Sequence, residues 1–247
     1  MKKRILILII MILSLVGCGY LEPDEVNEQY ILKTFEKKLR SQYGAEFVIK
    51  IKSFNKDSER RESVAIAYPK KDPSLMFEIS GSIQEDCLDA SCFGTSYHTT
   101  NNFGNLLLKS VEEKLNNKYK YSLEIGGNAD YEKIAGNVLL YLKELKTMLS
   151  DYKNGSFFDM YFDDGYLRGY VPLTLNGDVV SKNILIDQDN GKVIIDTSQG
   201  DHGWQGELEI SDYLEYLATG QLDKKICEIK CNNYPATACK CLDDYSI

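Results

Sequence analysis

The chain has 247 residues and a formal net charge of −8 at pH 7, from 37 acidic and 29 basic side chains. An acidic surface is repelled by nucleic acid and by anionic lipid, so we expect no nucleic-acid partner. The hydrophobic content of 43% is that of an ordinary globular protein. Beyond the N-terminus, no apolar run is long enough to cross a bilayer.

The N-terminus reads MKKRILILIIMILSLVGC. Lys2, Lys3 and Arg4 precede an uninterrupted apolar run over residues 5–13, which has the length of a signal h-region and is too short to span a membrane. The run leads to LVGC, in which Gly17 stands immediately before Cys18. This segment resembles the lipobox of bacterial lipoproteins, where a small residue precedes the cysteine that becomes the acylated mature N-terminus.

The resemblance implies that residues 1–17 are a cleaved signal peptide and that Cys18 carries acyl chains such as palmitate. Removing three basic residues from 29 leaves 26 against 37 acidic ones, so the mature net charge is expected to be −11. Residues 18–23 form a short tether, so the protein is expected to sit close to a membrane in the cell envelope. Because Gly19 follows the cysteine, the resemblance favours the outer membrane facing the periplasm in a Gram-negative cell, and otherwise the outer face of the cytoplasmic membrane.

Residues 24–126 are predicted to form an N-terminal α+β half. Apolar residues recur every three or four positions over 24–43, which predicts a helix that Gly44 ends. The other elements predicted here are strands over 46–54, 63–68 and 75–83 and a helix over 102–118. Residues 31–49 also align without gaps on residues 107–125, which indicates either a duplicated helix–strand unit or a chance likeness of amphipathic helices.

Residues 127–222 are predicted to form a second α+β half. A helix is expected over 131–152 and another over 211–218. Between them, the dipeptides Asp164-Gly165, Asn176-Gly177 and Asn190-Gly191 are typical of hairpin turns. They separate four runs, at 157–162, 166–175, 179–186 and 192–196, and so predict a four-stranded antiparallel meander. The predicted fold class is therefore α+β, with amphipathic helices packed on antiparallel sheet.

Six cysteines besides Cys18 form two clusters. Cys87 and Cys92 enclose a short loop, and the remaining four fall in a predicted disulfide-rich tail over 223–247: Cys227, Cys231, Cys239 and Cys241. An oxidising compartment favours disulfides for all six. The spacing C-x3-C-x7-C-x-C leaves Zn²⁺ or Cu(I) ligation as the alternative for the tail, although no metal or cofactor is expected.

Two histidines are the candidate reactive groups. His98 lies in a stretch predicted as a polar loop, two residues after Ser96, and His202 lies two residues before the single tryptophan, Trp204, in a glycine-flanked segment. No nucleophile-elbow, phosphate-loop or metalloprotease motif accompanies them. His202, Trp204 and His98 are therefore candidate binding residues, and no catalytic residue is assigned.

These features favour a non-enzymatic, membrane-anchored lipoprotein that binds a protein partner in the envelope. An immunity-type inhibitor and an envelope accessory subunit are two concrete forms of this hypothesis. The alternatives are a cell-wall or lipid-directed hydrolase acting through the His98 or His202 segments, and a lipoprotein that binds a small ligand.

Overall fold

The computed structural model describes residues 21–88, 91–126, 128–162, 165–196 and 205–233. It is an α+β protein with two sheets, and its chain divides into two compact units, Met1–Leu107 and Leu108–Ile247. Within the described ranges, no helix is long and apolar enough to cross a membrane. The helices are α1 Glu28–Tyr43, α2 Phe103–Tyr119, α3 Tyr131–Met148, α4 Ser156–Asp159, α5 Ile210–Ala218 and α6 Leu222–Asn233. The strands are β1 Phe47–Phe54, β2 Ser63–Pro69, β3 Phe77–Leu88, β4 Ser91–Asn101, β5 Glu124–Ile125, β6 Tyr166–Leu175, β7 Asp178–Asp187, β8 Lys192–Asp196 and β9 Gln205–Glu209.

The first unit consists of α1, an antiparallel meander in the order β1-β2-β3-β4, and the start of α2. The α1 helix begins later than predicted, at Glu28, because the Asn27 side chain accepts a hydrogen bond from the Tyr30 N–H and caps it there. A separate 3₁₀ turn covers Pro23–Glu25. The predicted stop at Gly44 is confirmed, since this residue adopts φ 62° and its N–H bonds to the Arg40 carbonyl.

The α1 helix packs on one face of this sheet, which we call the inner face. The inner face carries three small, buried residues: Ala65, Ala67 and Gly81. A Cβ atom on Gly81 would lie 2.9 Å from the Phe35 ring on α1 and 2.6 Å from the Tyr97 ring on β4. Glycine is therefore required where helix and sheet meet.

The β3–β4 hairpin corrects the sequence prediction for this region. The predicted strand over 75–83 extends to Leu88, and the segment around His98 is strand β4 rather than a polar loop. Its register places Cys87 opposite Cys92, next to a bulge at Asp86. Directly paired strand residues have the backbone separation that a disulfide needs. The side chains of Cys87 and Cys92 lie outside the described parts of the structure, so their disulfide stays a prediction.

The second unit contains a five-stranded mixed sheet in the order β5-β6-β7-β8-β9, on which α3 packs. The β5–β6 pair is parallel and the others are antiparallel. A Cβ atom on Gly169 of β6 would lie 2.6 Å from a methyl carbon of Leu145 and 2.8 Å from one of Leu142. The absence of a side chain at Gly169 therefore lets α3 lie directly on the sheet.

The predicted four-stranded C-terminal meander is present, but one of its strands differs from the prediction. Residues 157–162 are not a strand, because the short helix α4 occupies Ser156–Asp159 and buries the consecutive residues Phe157 and Phe158. The fourth strand is instead β9. The Asn176-Gly177 turn is confirmed, with φ values of 52° and 90° between β6 and β7.

The described residues do not show the predicted disulfide-rich tail. Its first part is the helix α6, which buries Cys227 and Cys231, and residues 234–247, including Cys239 and Cys241, lie outside the described residues. Cys227 is disulfide-bonded, but no disulfide joins two cysteines within the described residues. The described residues also contain no group of three or more side chains that could hold a metal ion.

Candidate binding face

The structure describes one of the predicted binding residues. His98 lies on β4 of the first unit, and Cys18, His202 and Trp204 lie outside the described residues. His98 is exposed, and β4 alternates it with the buried Tyr97, which points to the inner face. His98 therefore belongs to the opposite, outer face of the sheet.

The β2 strand has an unusual distribution of side chains between the two faces. Its sequence, SVAIAYP, is almost entirely apolar. The small residues Ala65 and Ala67 point to the protein's own core and are fully buried. The larger Val64, Ile66 and Tyr68 point to the outer face and are half-buried. A strand that is apolar on both sides is typical of a sheet covered on both faces.

Polar residues of β3 and β4 flank this apolar strip. Ser80 Oγ lies 2.9 Å from Thr100 Oγ1, Gln84 Nε2 donates to Ser82 Oγ at 3.3 Å, and Ser96 Oγ lies 2.9 Å from His98 Nε2. The register aligns Val64 with Ser80 and Thr100, and Ser82 with His98. We call the whole surface the open face; its members are Val64, Ile66, Tyr68, Ser80, Ser82, Ser96, His98 and Thr100.

One ion pair crosses the open face. Lys52 on β1 lies 3.6 Å from Glu78 on β3, so the two side chains meet across the intervening strand β2. Glu78 is aligned with Ile66 in the register. Both charged side chains are more than half exposed, at 63% and 54%, so the pair adds little to stability. It places one charge of each sign beside the apolar strip.

The open face combines an apolar strip with a row of polar groups. Ser96 and His98 are neighbours on a pleated surface, where the imidazole and hydroxyl extend a row of hydrogen-bonded polar groups. The hydrogen-bonded Ser96–His98 pair alone has the residue types of a nucleophile and its base. An apolar centre with a polar rim has instead the composition of a protein–protein contact surface.

The second unit contains a different electrostatic feature. Glu112 on α2 is half-buried, and burial raises the pKa of its carboxyl group. Burial also raises the pKa of Tyr141 and of Tyr161, and the negative charge of Glu112 adds to both effects. The Tyr141 hydroxyl donates to Asn116 Oδ1 at 3.0 Å. Glu112 is therefore a carboxylic acid near two tyrosines, and its charged form is destabilised because burial removes part of its hydration.

An open depression of about 460 Å³ also lies in the second unit, at the start of α3. Tyr121, which is 84% exposed, stands at its rim, and Asp130 in its wall caps α3 by accepting from the Lys133 N–H at 3.1 Å. The depression is open to solvent, and Asp130 in its wall already serves the helix cap. We assign no ligand to it.

Sequence reasoning singled out His98 but missed the surface around it. The sequence signal for this surface was the strand SVAIAYP, in which both faces are apolar but one carries small residues and the other carries large ones. Only the burial of Ala65 and Ala67 in the structure shows that the larger set is the outward one.

No protein-family model matches this chain, and neither the curated proteins nor the solved structures contain a significant match.

Proposed function

We propose that this protein is a membrane-anchored, extracytoplasmic lipoprotein without enzymatic activity, acylated at Cys18, and that it binds a protein partner of the cell envelope through the open face. An immunity-type inhibitor and an accessory subunit of an envelope assembly both act in this way. The lipobox-like segment supports the address, and the surface chemistry of the first unit supports the mode of action.

The observation that carries the binding proposal is the orientation of β2. Burying an aliphatic or aromatic side chain contributes about 1.5–3 kcal/mol, so a domain folding alone gains most by turning its larger apolar residues inward. This strand turns Val64, Ile66 and Tyr68 outward and two alanines inward. A partner that covers the open face would recover that burial, and Tyr68 is of the type that anchors such contacts.

The charge of the chain supports a choice of partner. With 37 acidic and 29 basic residues, the protein attracts a cationic surface and steers it at long range. The hydroxyls and imidazole at the rim would then satisfy the polar groups of the partner. We therefore propose a protein whose contact surface is basic around an apolar centre.

Co-purification with paired charge variants tests this proposal. The double variant Ser82→Lys, Thr100→Lys places two positive charges on the open face and should repel a basic partner. The control Ser41→Lys, Asn105→Lys adds the same charge at exposed helix positions. Tagged, lipidated protein is recovered from intact cells after crosslinking, and the proteins that accompany it are quantified.

We expect one dominant partner to accompany the wild type and the control and to fall at least severalfold with the open-face variant. An equal loss in both variants would show that total charge, and not the open face, governs recovery. Retention by both variants would contradict the open face as the binding surface.

The hydrogen-bonded Ser96–His98 pair is the observation that favours the hydrolase alternative. His98→Ala would then abolish hydrolysis of ester or cell-wall substrates. The binding proposal predicts that wild type and variant are equally inactive towards them.

A further inference from the structure

The segment that follows the proposed anchor is bound to one end of the first sheet. The Leu21 N–H donates to the Thr95 hydroxyl at 3.0 Å, and that hydroxyl lies 3.3 Å from the Leu21 carbonyl oxygen. The Leu21 N–H is also 3.4 Å from the Thr95 carbonyl oxygen. Thr95 is on β4, the edge strand, and is paired with Glu85 on β3. Leu21 thus adds to the free side of the β3–β4 hairpin.

A second contact holds the same segment a few residues later. Asp24 Oδ1 lies 2.6 Å from Arg61 Nη2, and the Arg61 side chain is 17% exposed. Arg61 belongs to the loop 55–62 between β1 and β2, where it adopts φ 44° and also donates to the Lys56 carbonyl. Val26 is 3% exposed. Residues 21–26 are therefore attached at several points to one end of the sheet.

This end is defined by the loop 55–62 together with Glu85 and Thr95. The loop lies against β3, since the Ile83 N–H donates to the Arg60 carbonyl at 2.7 Å. The opposite end is formed by the loop 70–76 and the start of β3 at Phe77. Glu85 and Phe77 are eight residues apart on one strand, which corresponds to about 26 Å.

Chain length then fixes which end is near the lipid. Cys18 is three residues before Leu21, and an extended chain covers at most about 3.6 Å per residue, so the acylated residue lies within about 11 Å of Leu21. The loop 55–62 carries three basic and three acidic side chains and so has no net charge, whereas Glu85 and the segment 21–26 add acidic side chains at the same end.

We infer that the end of the first sheet made by the loop 55–62, Glu85 and Thr95 rests against the lipid surface into which the acyl chains of Cys18 insert, while the loop 70–76 points away from it. The inference rests on the proposed anchoring at Cys18. It gives the open face a defined orientation, with its strands running away from the membrane towards an approaching partner.

Contact quenching in vesicles tests the orientation. The full lipidated protein is reconstituted into phosphatidylethanolamine–phosphatidylglycerol vesicles that contain lipids with nitroxide-labelled headgroups. A fluorescent amino acid replaces Glu59 in one protein and Ser74 in another; both are exposed loop positions, one at each end. Flotation on a density gradient first measures association with the vesicles.

We expect severalfold stronger quenching at position 59 than at position 74. A flexible Gly-Ser spacer inserted between Tyr20 and Leu21 should lower the signal at position 59 towards that at position 74, because the longer tether frees the sheet from the lipid. This spacer leaves the contacts of Leu21 and Asp24 intact, so the fold is preserved.

The outcomes separate this inference from the anchor itself. Protein that does not float overturns the anchoring at Cys18, and the inference with it. Protein that floats but is quenched equally at the two positions, or more at position 74, overturns the orientation alone. Quenching at position 59 that survives the spacer contradicts the short tether as its cause.

Discussion

Replacing Gly81 by alanine tests the arrangement that leaves the outer face open. If α1 is seated on the inner face at this point, the new methyl group meets the rings of Phe35 and Tyr97 at 2.9 and 2.6 Å. Those rings are on different elements and both are buried, so they have little room to move. Overpacking of this kind costs about 1–3 kcal/mol. Replacing a strand glycine returns about 0.5–1 kcal/mol, so the expected net loss is centred on about 1 kcal/mol.

Native-state hydrogen exchange is the appropriate assay, because it reads the stability of the first unit without assuming that both units unfold together. The best-protected amides of β2 and β3 should exchange faster in Gly81→Ala by the factor that matches this loss. The control is Gly136→Ala on α3 of the second unit, an exposed helix position with no atom within 4 Å of the added carbon, which should slow exchange in α3 by the factor that matches about 0.5–1 kcal/mol. Unchanged or increased protection of β2 in Gly81→Ala would refute the packing of α1 on the inner face.

Three further predictions concern other parts of the chain. Burial raises the pKa of Glu112, so the folded protein loses stability as the pH rises from the ordinary pKa of 4.5 through the pKa in the folded state. Glu112→Gln should therefore raise the thermal stability at pH 7 but not at pH 3. The exposed control Glu113→Gln should leave the thermal stability unchanged at both pH values. Asn27→Ala removes the acceptor for the Tyr30 N–H and should lower the stability of α1 by about 1 kcal/mol, which would be measured as faster amide hydrogen exchange at the start of the helix. An unchanged exchange rate would show that this cap does not stabilise the helix. Peptide mass mapping without reduction should find Cys87 joined to Cys92, and a free thiol at either position would contradict that pairing.

Local signals in the sequence predicted the ends of elements well. Gly44 ends α1 and Asn176-Gly177 turns β6 into β7, because a left-handed backbone requirement is satisfied by the residue at that position alone. The two aligned segments also fold alike, each as a helix followed by a strand. Their strands nevertheless pair differently, β1 antiparallel to β2 and β5 parallel to β6, so a duplication is not settled by the local likeness.

Long-range packing decided the elements that sequence reasoning missed. The β4 strand reads as a loop because its outward residues are Ser96, His98 and Thr100, and its buried Tyr97 is too isolated to give a visible alternation. The opposite error occurred at Phe157 and Phe158, whose aromatic character suggested a strand. Both are buried although they are consecutive, which a turn of helix allows and an alternating strand does not.

The candidate site shows the same limit. The sequence identified His98 as a candidate binding residue. Its surroundings could not be predicted until the face of the sheet on which it lies was known. The burial of the β2 alanines identifies the opposite face as the open one, and only the structure shows it.

The central claim is that a protein partner covers the open face. Site-specific photocrosslinking in intact cells measures this most directly, with a photoreactive amino acid placed in turn at Tyr68 and His98 and, as controls, at Ser41 and Asn105 on exposed helix surfaces. The proposed function predicts one crosslinked product of defined mass from both open-face positions and none from the helix positions. Equal crosslinking from all four positions, or product from the helix positions alone, would contradict it.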